Sequence, residues 1–399
     1  MFRVLFIVLV SFCLYSKPLE IELNAKTAIL INVDNNKVLF QKNAEEKIFP
    51  ASLTKVATLY YFLDKYSQNL NDYYSANFEA LRLISPNKKI ALNYKVKPYI
   101  LESDGSSFEI IENEKLKLKD LLFGLMISSG NDAANVICQN LSGSFENFIE
   151  DFNKFLKLNG CIDTNFLNPH GLHMPDHMTT AKDLAYLTSN ALKNPNFLEF
   201  FSCKYFLRPQ TNKQSKKEKI TYIELFKPGK NYYKYVIGAK TGYTSKAKYN
   251  LIALAKKKDR NILCVLTGCP STQLRYQDAI KLFDLAFQEP VLEKQIISKN
   301  AEFLTKVDGS DKILKAKILD DLIISFYPSE EENVKAFIHF NENLKAPIKK
   351  NEKIGVIKIF DQNNLEIKKV NLYSTEDVNR TFLRFLKELF IKKNKVKDV

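Results

Sequence analysis

The chain has 399 residues, of which 45% are hydrophobic, and its lysines and arginines outnumber its acidic residues by 14. This length and apolar content exclude a largely disordered chain and favour two globular units with terminal segments. A basic balance is typical of proteins that meet nucleic acid, anionic lipid or another anionic polymer. No nucleic-acid-binding motif is recognisable, so we predict no nucleic acid partner and expect surroundings at the membrane surface and cell wall.

The first residues have the pattern of a secretory signal. After a short positive start, residues 4–15 are almost wholly apolar, and this run is too short to span a bilayer as a mature helix. We predict a signal peptide over residues 1–16 and a mature protein on the periplasmic or extracytoplasmic face of the membrane. A lipid anchor at Cys13 is disfavoured because the bulky Phe12 precedes it. The alternative is a buried first strand.

In chain order, β-rich runs at 28–33 and 37–40 flank an Asp-Asn-Asn turn and predict a hairpin. A helix is predicted from Ser52 to about Leu63. The mixed stretch 66–118 receives no assignment. Two further helical segments, at 121–127 and 133–138, are separated by a short polar loop.

Three β-like segments follow near the end of this unit, at 235–241, 249–255 and 261–267, and residues 275–287 have a helical apolar face. Strands from both ends with helices between them predict a mixed α/β domain over residues 17–287. Its central antiparallel sheet would be flanked by helices.

The pattern changes from about Gln288, where short alternating segments predict a small all-β domain over residues 288–373. Ser374 to Asp377 then have the form of a capping box, and apolar residues recur at helical spacing among lysines and arginines. We predict a basic amphipathic helix over 374–399 that attaches peripherally to the membrane surface. A helix packed on the β domain and a solvated tail are the alternatives.

Ser52 and Lys55 form the pattern S-x-x-K. On a helix these positions share a face, so the lysine amine can reach the serine hydroxyl. A serine becomes nucleophilic when a neighbour takes its proton, and a lysine can do so only if burial or nearby positive charge lowers its pKa. Taken alone, Ser52 is more simply a helix N-cap, so the pair gains meaning only from the motifs that follow.

The second motif, S-G-N, lies between two predicted helices, where Ser129 can relay a proton and Asn131 can hold a substrate backbone. The third, K-T-G, ends a predicted strand. There Lys240 and Thr241 suit a carboxylate, and Gly242 permits close approach of a substrate backbone. Each is unremarkable alone. In this order, however, the three motifs are a known combination of penicillin-binding proteins and class A β-lactamases.

With these motifs the chain resembles the serine-type D-alanyl-D-alanine carboxypeptidases, the low-molecular-mass penicillin-binding proteins. The segments 50–55, 128–133 and 237–244 resemble the family's three motifs, and the stretches 168–172 and 177–184 resemble the loop beside its active site. The resemblance implies the serine DD-peptidase fold, the following β domain and the terminal membrane tether.

The resemblance also implies roles for the catalytic side chains. Ser52 would be acylated by the penultimate D-alanine of a peptidoglycan stem peptide, and β-lactam antibiotics would acylate the same hydroxyl. Lys55 would be the base, while Ser129 and Asn131 would assist proton transfer and positioning.

The remaining implied roles concern binding. Lys240 and Thr241, with Gly242 beside them, would bind the terminal carboxylate region, and Arg275 would serve the same carboxylate unless it is a surface residue. Backbone N–H groups of Ser52 and Tyr243 would form the oxyanion hole.

Two departures from the family leave substrate preference open. The stretch between the first two motifs is longer than in many members, and Lys248 stands where glycine is usual. A D,D-endopeptidase would use the same groups, and a catalytically silent peptidoglycan-binding protein is a third possibility. A class A β-lactamase is disfavoured because no Glu-x-x-Leu-Asn lies between the second and third motifs.

No cofactor or metal is predicted. The six cysteines have no metal-ligand spacing, which favours buried thiols, and one disulfide stays open without an assigned pair. A zinc site at His170, His173 and His177 is the alternative, but the chain has no H-E-x-x-H motif. The oligomeric state is not predicted.

Overall fold

The computed structural model describes residues 18–330, 333–361 and 364–382. The chain divides between Gln288 and Glu289 into a larger unit, residues 18–288, and a second unit, here called the β unit, of which residues 289–382 are described with the gaps above. The predicted signal peptide and residues 383–399 of the predicted terminal helix lie outside the described residues. Within the described ranges, no helix is both long enough and apolar enough to cross a bilayer.

The larger unit contains eleven strands and eight α-helices within its described residues. The strands are β1 (Thr27–Asn32), β2 (Lys37–Lys42), β3 (Tyr73–Ser75), β4 (Leu83–Ile84), β5 (Leu101–Glu102), β6 (Lys115–Lys117), β7 (Tyr205–Arg208), β8 (Lys217–Ile220), β9 (Val236–Thr244), β10 (Lys248–Lys257) and β11 (Arg260–Cys269). The helices are α1 (Thr54–Tyr66), α2 (Pro86–Ala91), α3 (Leu118–Ile127), α4 (Asn131–Ser142), α5 (Phe145–Leu158), α6 (Ala181–Ala191), α7 (Phe197–Phe201) and α8 (Thr272–Gln288).

Five of these strands form the central sheet, in the order β2-β1-β11-β10-β9, and all its neighbouring pairs are antiparallel. Every residue of β1 is buried, which is the pattern of a strand covered on both faces. One face, with Ile29 and Val265, packs against α1 and α3–α7, and the other, with Leu30 and Cys264, packs against α8. The predicted helix-covered antiparallel sheet is therefore confirmed.

The helix α5 illustrates how the sequence builds the helical layer. Ser144 caps it by accepting a hydrogen bond from the Asn147 N–H. Phenylalanines then recur at positions 145, 148, 152 and 155, a spacing that places them on one helix face. Three of them make edge contacts with the ring of Tyr61 on α1, so α5 holds α1, the helix that carries Lys55, in place.

The β unit consists of two small antiparallel sheets, ordered β13-β14-β18-β17-β16 and β12-β15. Its strands are β12 (Leu292–Ile297), β13 (Phe303–Lys306), β14 (Ile313–Lys317), β15 (Leu322–Phe326), β16 (Lys335–Phe340), β17 (Lys353–Phe360) and β18 (Glu366–Ser374). Alternation is clear in β14, whose Leu314 and Ala316 are buried between exposed neighbours. The predicted all-β domain is confirmed.

The described residues correct the predicted start of the terminal helix. Ser374 is the last residue of β18, and residues 375–381 are not helical. Val378 pairs with Ile348 through two backbone hydrogen bonds and is fully buried in the core of the β unit. Burial of Val378 thus overrides the local capping pattern, and the chain stays in the β unit beyond residue 373.

Candidate active site

Ser52 lies in a short 3-10 turn, Ala51–Leu53, immediately before α1. The side chain of Ser52 does not cap α1, whose N-cap position is taken by Leu53 without a side-chain bond. The simpler interpretation of Ser52 as a helix cap is therefore wrong. Ala51 has a φ of +50°, a left-handed conformation that costs a residue with a side chain about 1 kcal/mol, so the surroundings must hold this turn.

Lys55 places its amine against the Ser52 hydroxyl, with 2.9 Å between Nζ and Oγ. Two carbonyl oxygens lie equally close to the amine, Asn131 Oδ1 at 2.7 Å and the backbone oxygen of His170 at 2.7 Å. Because carbonyl oxygens can only accept, they occupy both hydrogens of a neutral amine. The remaining lone pair then faces the hydroxyl hydrogen of Ser52.

The surroundings of Lys55 favour this neutral form. Its side chain is fully buried, and burial is the main cause of a pKa well below the usual lysine value. The positive charge of Lys240 lowers the pKa of Lys55 further, while Asp132 acts in the opposite direction. The structure thus provides both conditions that a lysine base requires.

The 167–172 loop holds the other side of Lys55. Asn168 Oδ1 accepts hydrogen bonds from the Gly171 and His170 N–H groups, and its Nδ2 donates to the Leu172 carbonyl. These bonds aim the His170 carbonyl at Lys55. Gly171 has a φ of +89°, and a Cβ there would lie 1.9 Å from the Ala51 oxygen. Only glycine fits so close to the turn that carries Ser52.

Asn131 and Asp132 begin α4. Asn131 presents its side-chain oxygen to Lys55, and its backbone N–H donates to the Ser106 carbonyl. Asp132 is buried and accepts backbone hydrogen bonds from Phe108 and Ile110. Asp132 therefore ties the segment 106–110 to the start of α4, which fixes this wall of the site.

Ser129 and Lys240 form a second pair, with 2.9 Å between the Ser129 Oγ and the Lys240 Nζ. Ser129 has a φ of +52°, an unusual conformation that is common at functional sites. Burial, followed by the positive charge of Arg275, lowers the pKa of Lys240 to about 7. The ammonium also donates to the Thr241 carbonyl at 2.8 Å.

Arg275 is held by aromatic rings. Its guanidinium lies 4.6 Å from the ring centre of Tyr276 and 5.8 Å from that of Tyr249. Nη1 donates to the Asn250 carbonyl at 3.3 Å, whereas Nε is buried without a hydrogen-bond partner. A buried cation with an unused donor is suited to an anionic ligand. The alternative of a surface arginine is wrong, because only 5% of Arg275 is exposed.

The strand β9 brings the K-T-G motif beside Ser52. β9 is the outermost strand of the central sheet, and a Cβ at Gly242 would lie 3.0 Å from the Ser52 nitrogen. The missing side chain leaves space next to this backbone N–H. Tyr243, the other predicted oxyanion donor, follows directly on the same strand.

These groups surround one cleft of about 1090 Å³. The predicted residues that line it are Ser52, Ser129, Asn131, Lys240, Thr241, Gly242, Tyr243 and Arg275. Lys55 lies behind Ser52. The unassigned stretch 66–118 supplies part of the wall through Lys89, Tyr94 and Glu102, where the Lys89 ammonium pairs with the Glu102 carboxylate at 2.8 Å.

Two of the three clustered histidines form hydrogen bonds within the protein, and the third, His173, packs between the rings of Phe49 and Tyr94. His170 accepts from the Leu172 N–H at Nδ1, and its Nε2 lies 3.4 Å from the Tyr99 carbonyl. His177 uses both ring nitrogens in hydrogen bonds to Leu167 and Thr54. Among the described residues, no three His, Cys, Asp or Glu side chains are grouped to hold a metal. The five described cysteines are free thiols.

The profile of the D-alanyl-D-alanine carboxypeptidase family matches residues 14–271, about two thirds of the chain. The chain belongs to this family. A second profile, that of the C-terminal domain of penicillin-binding protein 5, matches residues 293–380. The protein is therefore a serine-type hydrolase by family, with the mixed α/β fold and the following β domain of that family.

Relatives match over most of their length. D-alanyl-D-alanine carboxypeptidase DacF of Bacillus subtilis is 29% identical over 92% of this chain and 90% of its own. DacC of Escherichia coli is 29% identical over 89% and 84%. The crystal structure of penicillin binding protein 5 from Haemophilus influenzae superimposes with a TM-score of 0.60 at 26% identity, covering 91% of this chain and all of that one.

Three contributions to the site were not predicted. The contacts of Thr54 with His177, the backbone bonds to Asp132 and the close approach of Gly171 to Ala51 join residues far apart in sequence. The one local signal was the cluster Asn168-Pro169-His170-Gly171, in which an Asx residue and a glycine favour a tight turn.

Proposed function

We propose that this protein is a serine carboxypeptidase that removes the terminal D-alanine from the peptidoglycan stem peptide through an acyl-enzyme on Ser52. One observation carries the proposal: the buried Lys55 amine lies 2.9 Å from the Ser52 hydroxyl, while two carbonyl oxygens occupy its hydrogens. This arrangement gives the serine a base without a histidine or a metal.

In the first step, the Lys55 lone pair takes the hydroxyl proton as Ser52 Oγ attacks the carbonyl carbon of the penultimate D-alanine. The carbonyl oxygen becomes an oxyanion, which the Ser52 and Tyr243 N–H groups would stabilise. The bond to the terminal D-alanine then breaks. Its nitrogen takes the hydroxyl proton of Ser129, which is hydrogen-bonded to Lys240. The proton that Lys55 removed from Ser52 then restores the Ser129 hydroxyl, so Lys55 is neutral again and the acyl group stays on Ser52.

In the second step, water attacks the ester. Lys55 takes a proton from the water, the bond to Ser52 breaks, and the hydroxyl recovers its hydrogen. The shortened peptide leaves with a new carboxylate. β-Lactams would acylate Ser52 by the same first step, because their strained amide presents a similar carbonyl and a nearby carboxylate.

The buried cations favour a substrate that ends in a carboxylate. The unpartnered Nε of Arg275 and the ammonium of Lys240 line the same cleft. A terminal carboxylate bound there would satisfy both charges, which are otherwise costly to bury. This supports a carboxypeptidase over a silent binding protein, since the groups for binding and for reaction meet in one cleft.

The proposal includes a location outside the cytoplasmic membrane. It is supported by the signal-like pattern of residues 1–16 and by the surplus of 14 basic residues. Peripheral attachment through the basic segment 383–399 is part of the same proposal, because its apolar and cationic residues suit an anionic lipid surface.

Labelling with a fluorescent penicillin tests the acyl-enzyme. The wild type is expected to be labelled, Ser52→Ala to stay dark, and Ser245→Ala, an exposed serine at the cleft mouth, to label normally. Mass spectrometry on a pentapeptide should then show loss of one D-alanine. Absence of labelling would overturn the proposal, and cleavage of crosslinked dimers alone would replace it with a D,D-endopeptidase.

A further inference from the structure

A chain of hydrogen bonds runs from the 167–172 loop to the turn that carries Ser52. His177 Nδ1 accepts from the Leu167 N–H at 3.0 Å, so the ring hydrogen must be on Nε2. That nitrogen lies 2.9 Å from the Thr54 Oγ1 and therefore donates to it. The Thr54 hydroxyl in turn donates to the Ala51 carbonyl at 2.9 Å. Every bond of the chain thus has a defined direction.

This series of hydrogen bonds ends at the peptide between Ala51 and Ser52, whose N–H is a predicted oxyanion donor. The Ala51 carbonyl and the Ser52 N–H belong to one planar group. A group that holds the carbonyl therefore sets the direction of the N–H on the opposite side. Successive hydrogen bonds also polarise one another, so a donor to the carbonyl strengthens the N–H as a donor.

This peptide is confined from other sides as well. Ala51 has the left-handed φ of +50°, which the turn would leave if it were not held. Gly171 packs so closely that a Cβ would lie 1.9 Å from the Ala51 oxygen, and a Cβ at Gly242 would lie 3.0 Å from the Ser52 nitrogen. The missing side chains of Gly171 and Gly242 thus leave room for the carbonyl and for the N–H of this one peptide.

We infer that Thr54 and His177 are positioning residues that orient and polarise the Ala51–Ser52 peptide and thereby set the strength of one oxyanion donor. The inference rests on the proposed function, since the oxyanion forms in that reaction. Neither side chain needs to touch the substrate, and both act through the backbone of the nucleophile.

The state of His177 suits this role. Burial lowers its pKa to about 3, with smaller effects from His173, Lys89 and Lys55. The ring stacks on Phe166 at 4.7 Å and is neutral with its hydrogen on Nε2. The donor and acceptor in each of these hydrogen bonds therefore stay the same over the pH range in which the enzyme would work.

Thr54→Val and His177→Phe test the inference, because each removes one link and keeps the volume. Losing a whole oxyanion donor costs about 10²–10³ in rate, so we expect misdirection of one donor to slow acylation by penicillin and kcat about tenfold, with KM unchanged. Thr54→Ser keeps the hydroxyl and His177→Gln keeps an N–H donor, so each should restore most of the rate. The double variant Thr54→Val/His177→Phe should be no slower than the slower single variant, because both break one chain.

A spectroscopic measurement separates positioning from general stability. In the acyl-enzyme with carbonyl-labelled penicillin, a weaker donor shifts the ester C=O stretch to higher wavenumber. Thr54→Val should show this shift. Thr58→Val is the matched control, since Thr58 donates to the Pro169 and Thr54 carbonyls from the same helix. It should lower the melting temperature comparably without moving the stretch.

An unchanged stretch in Thr54→Val, or an equal shift in Thr58→Val, would overturn the inference. So would rates in the double variant that equal the product of the two single effects. These outcomes require a wild type that is acylated, and they contradict the inference alone. A wild type that is not acylated would contradict the proposed function, and the inference with it.

Discussion

The two units of this protein bury different kinds of side chain. In the larger unit, the charged groups of Lys55, Lys240 and Arg275 are at most 5% exposed. Among the described residues of the β unit, the buried polar side chains are those of Ser329 and Ser374, and the core is formed by isoleucine, leucine, valine and alanine. Since burying a charge costs free energy, burial of these three groups in the larger unit serves reactivity, whereas burial in the β unit serves stability.

The largest effect on this contrast is expected from Lys55→Met, which replaces a buried amine by an apolar chain of similar length. Acylation by penicillin should fall by about 10³ or more, because the serine loses its base. The melting temperature should change little, because three hydrogen bonds are lost but the cost of burying an amine disappears. A Lys55→Met variant that is inactive only because it is unfolded would show that the buried amine serves stability rather than reactivity.

The charge of Lys240 should appear in the pH dependence. Its pKa of about 7 lies far below the usual lysine value, so the free enzyme loses this charge as the pH rises through 7. We expect KM for a peptide ending in D-alanyl-D-alanine to rise above pH 7, by up to about tenfold per pH unit. A KM that is constant from pH 6 to 9 would show that Lys240 does not bind the carboxylate as a cation.

Gly171→Ala tests how closely the catalytic turn is packed. The new Cβ would lie 1.9 Å from the Ala51 oxygen at a φ of +89°, so we expect a loss of about 3 kcal/mol in the free energy of unfolding and slower acylation. Gly160→Ala is the control: its φ is +83° with nothing within 4 Å, and it should cost about 1 kcal/mol. Denaturation measures the stability of both variants, and penicillin labelling measures their acylation. Equal effects of the two substitutions would contradict the packing argument.

In the β unit, Leu314→Ala should affect stability alone. Leu314 is fully buried in an apolar core, and such a truncation costs about 2–5 kcal/mol. Hydrogen exchange should report the loss in the β unit, while the acylation rate of the full chain stays at the wild-type value. A parallel fall in acylation would show that the two units are not separable in this way.

The smallest effect is expected at Lys248, an exposed residue at the start of β10. Its φ is +58°, so Lys248→Gly should stabilise the larger unit by about 1 kcal/mol. Lys246→Gly, two residues earlier and without a positive φ, should instead cost about 0.5–1 kcal/mol. Thermal unfolding of both variants measures the difference, and a common sign would refute the strain argument.

Sequence patterns were sufficient where the signal is local. The strands around Asp34, the three strands that become β9, β10 and β11, and the helix α8 follow from alternation and helical spacing. Their ends differ from prediction by at most three residues, as at β9, which extends to Thr244 rather than Thr241. The three motifs also allowed a single cleft to be predicted, because their order along the chain matches a known combination.

The rest depends on contacts between distant residues. Thr54 and His177 are 123 positions apart, and no local pattern connects them. The stretch 66–118 forms strands of only two or three residues, and Asp132 holds its segment 106–110 through backbone hydrogen bonds, so its own composition carried little signal. At Ser374 a strong local pattern was misleading, because the burial of Val378 outweighs a helix cap.

The position of β9 at the border of its sheet has a consequence for the protein in solution. A border strand offers its free amides to any extended chain and is a common starting point for self-association. Here the K-T-G end of that border strand lines the same cleft as Lys89, Tyr94 and Glu102. We expect this space to admit a single extended peptide tail more readily than the sheet of a second molecule. We therefore expect the walls of the cleft to limit self-association through this strand as well as to admit the proposed substrate.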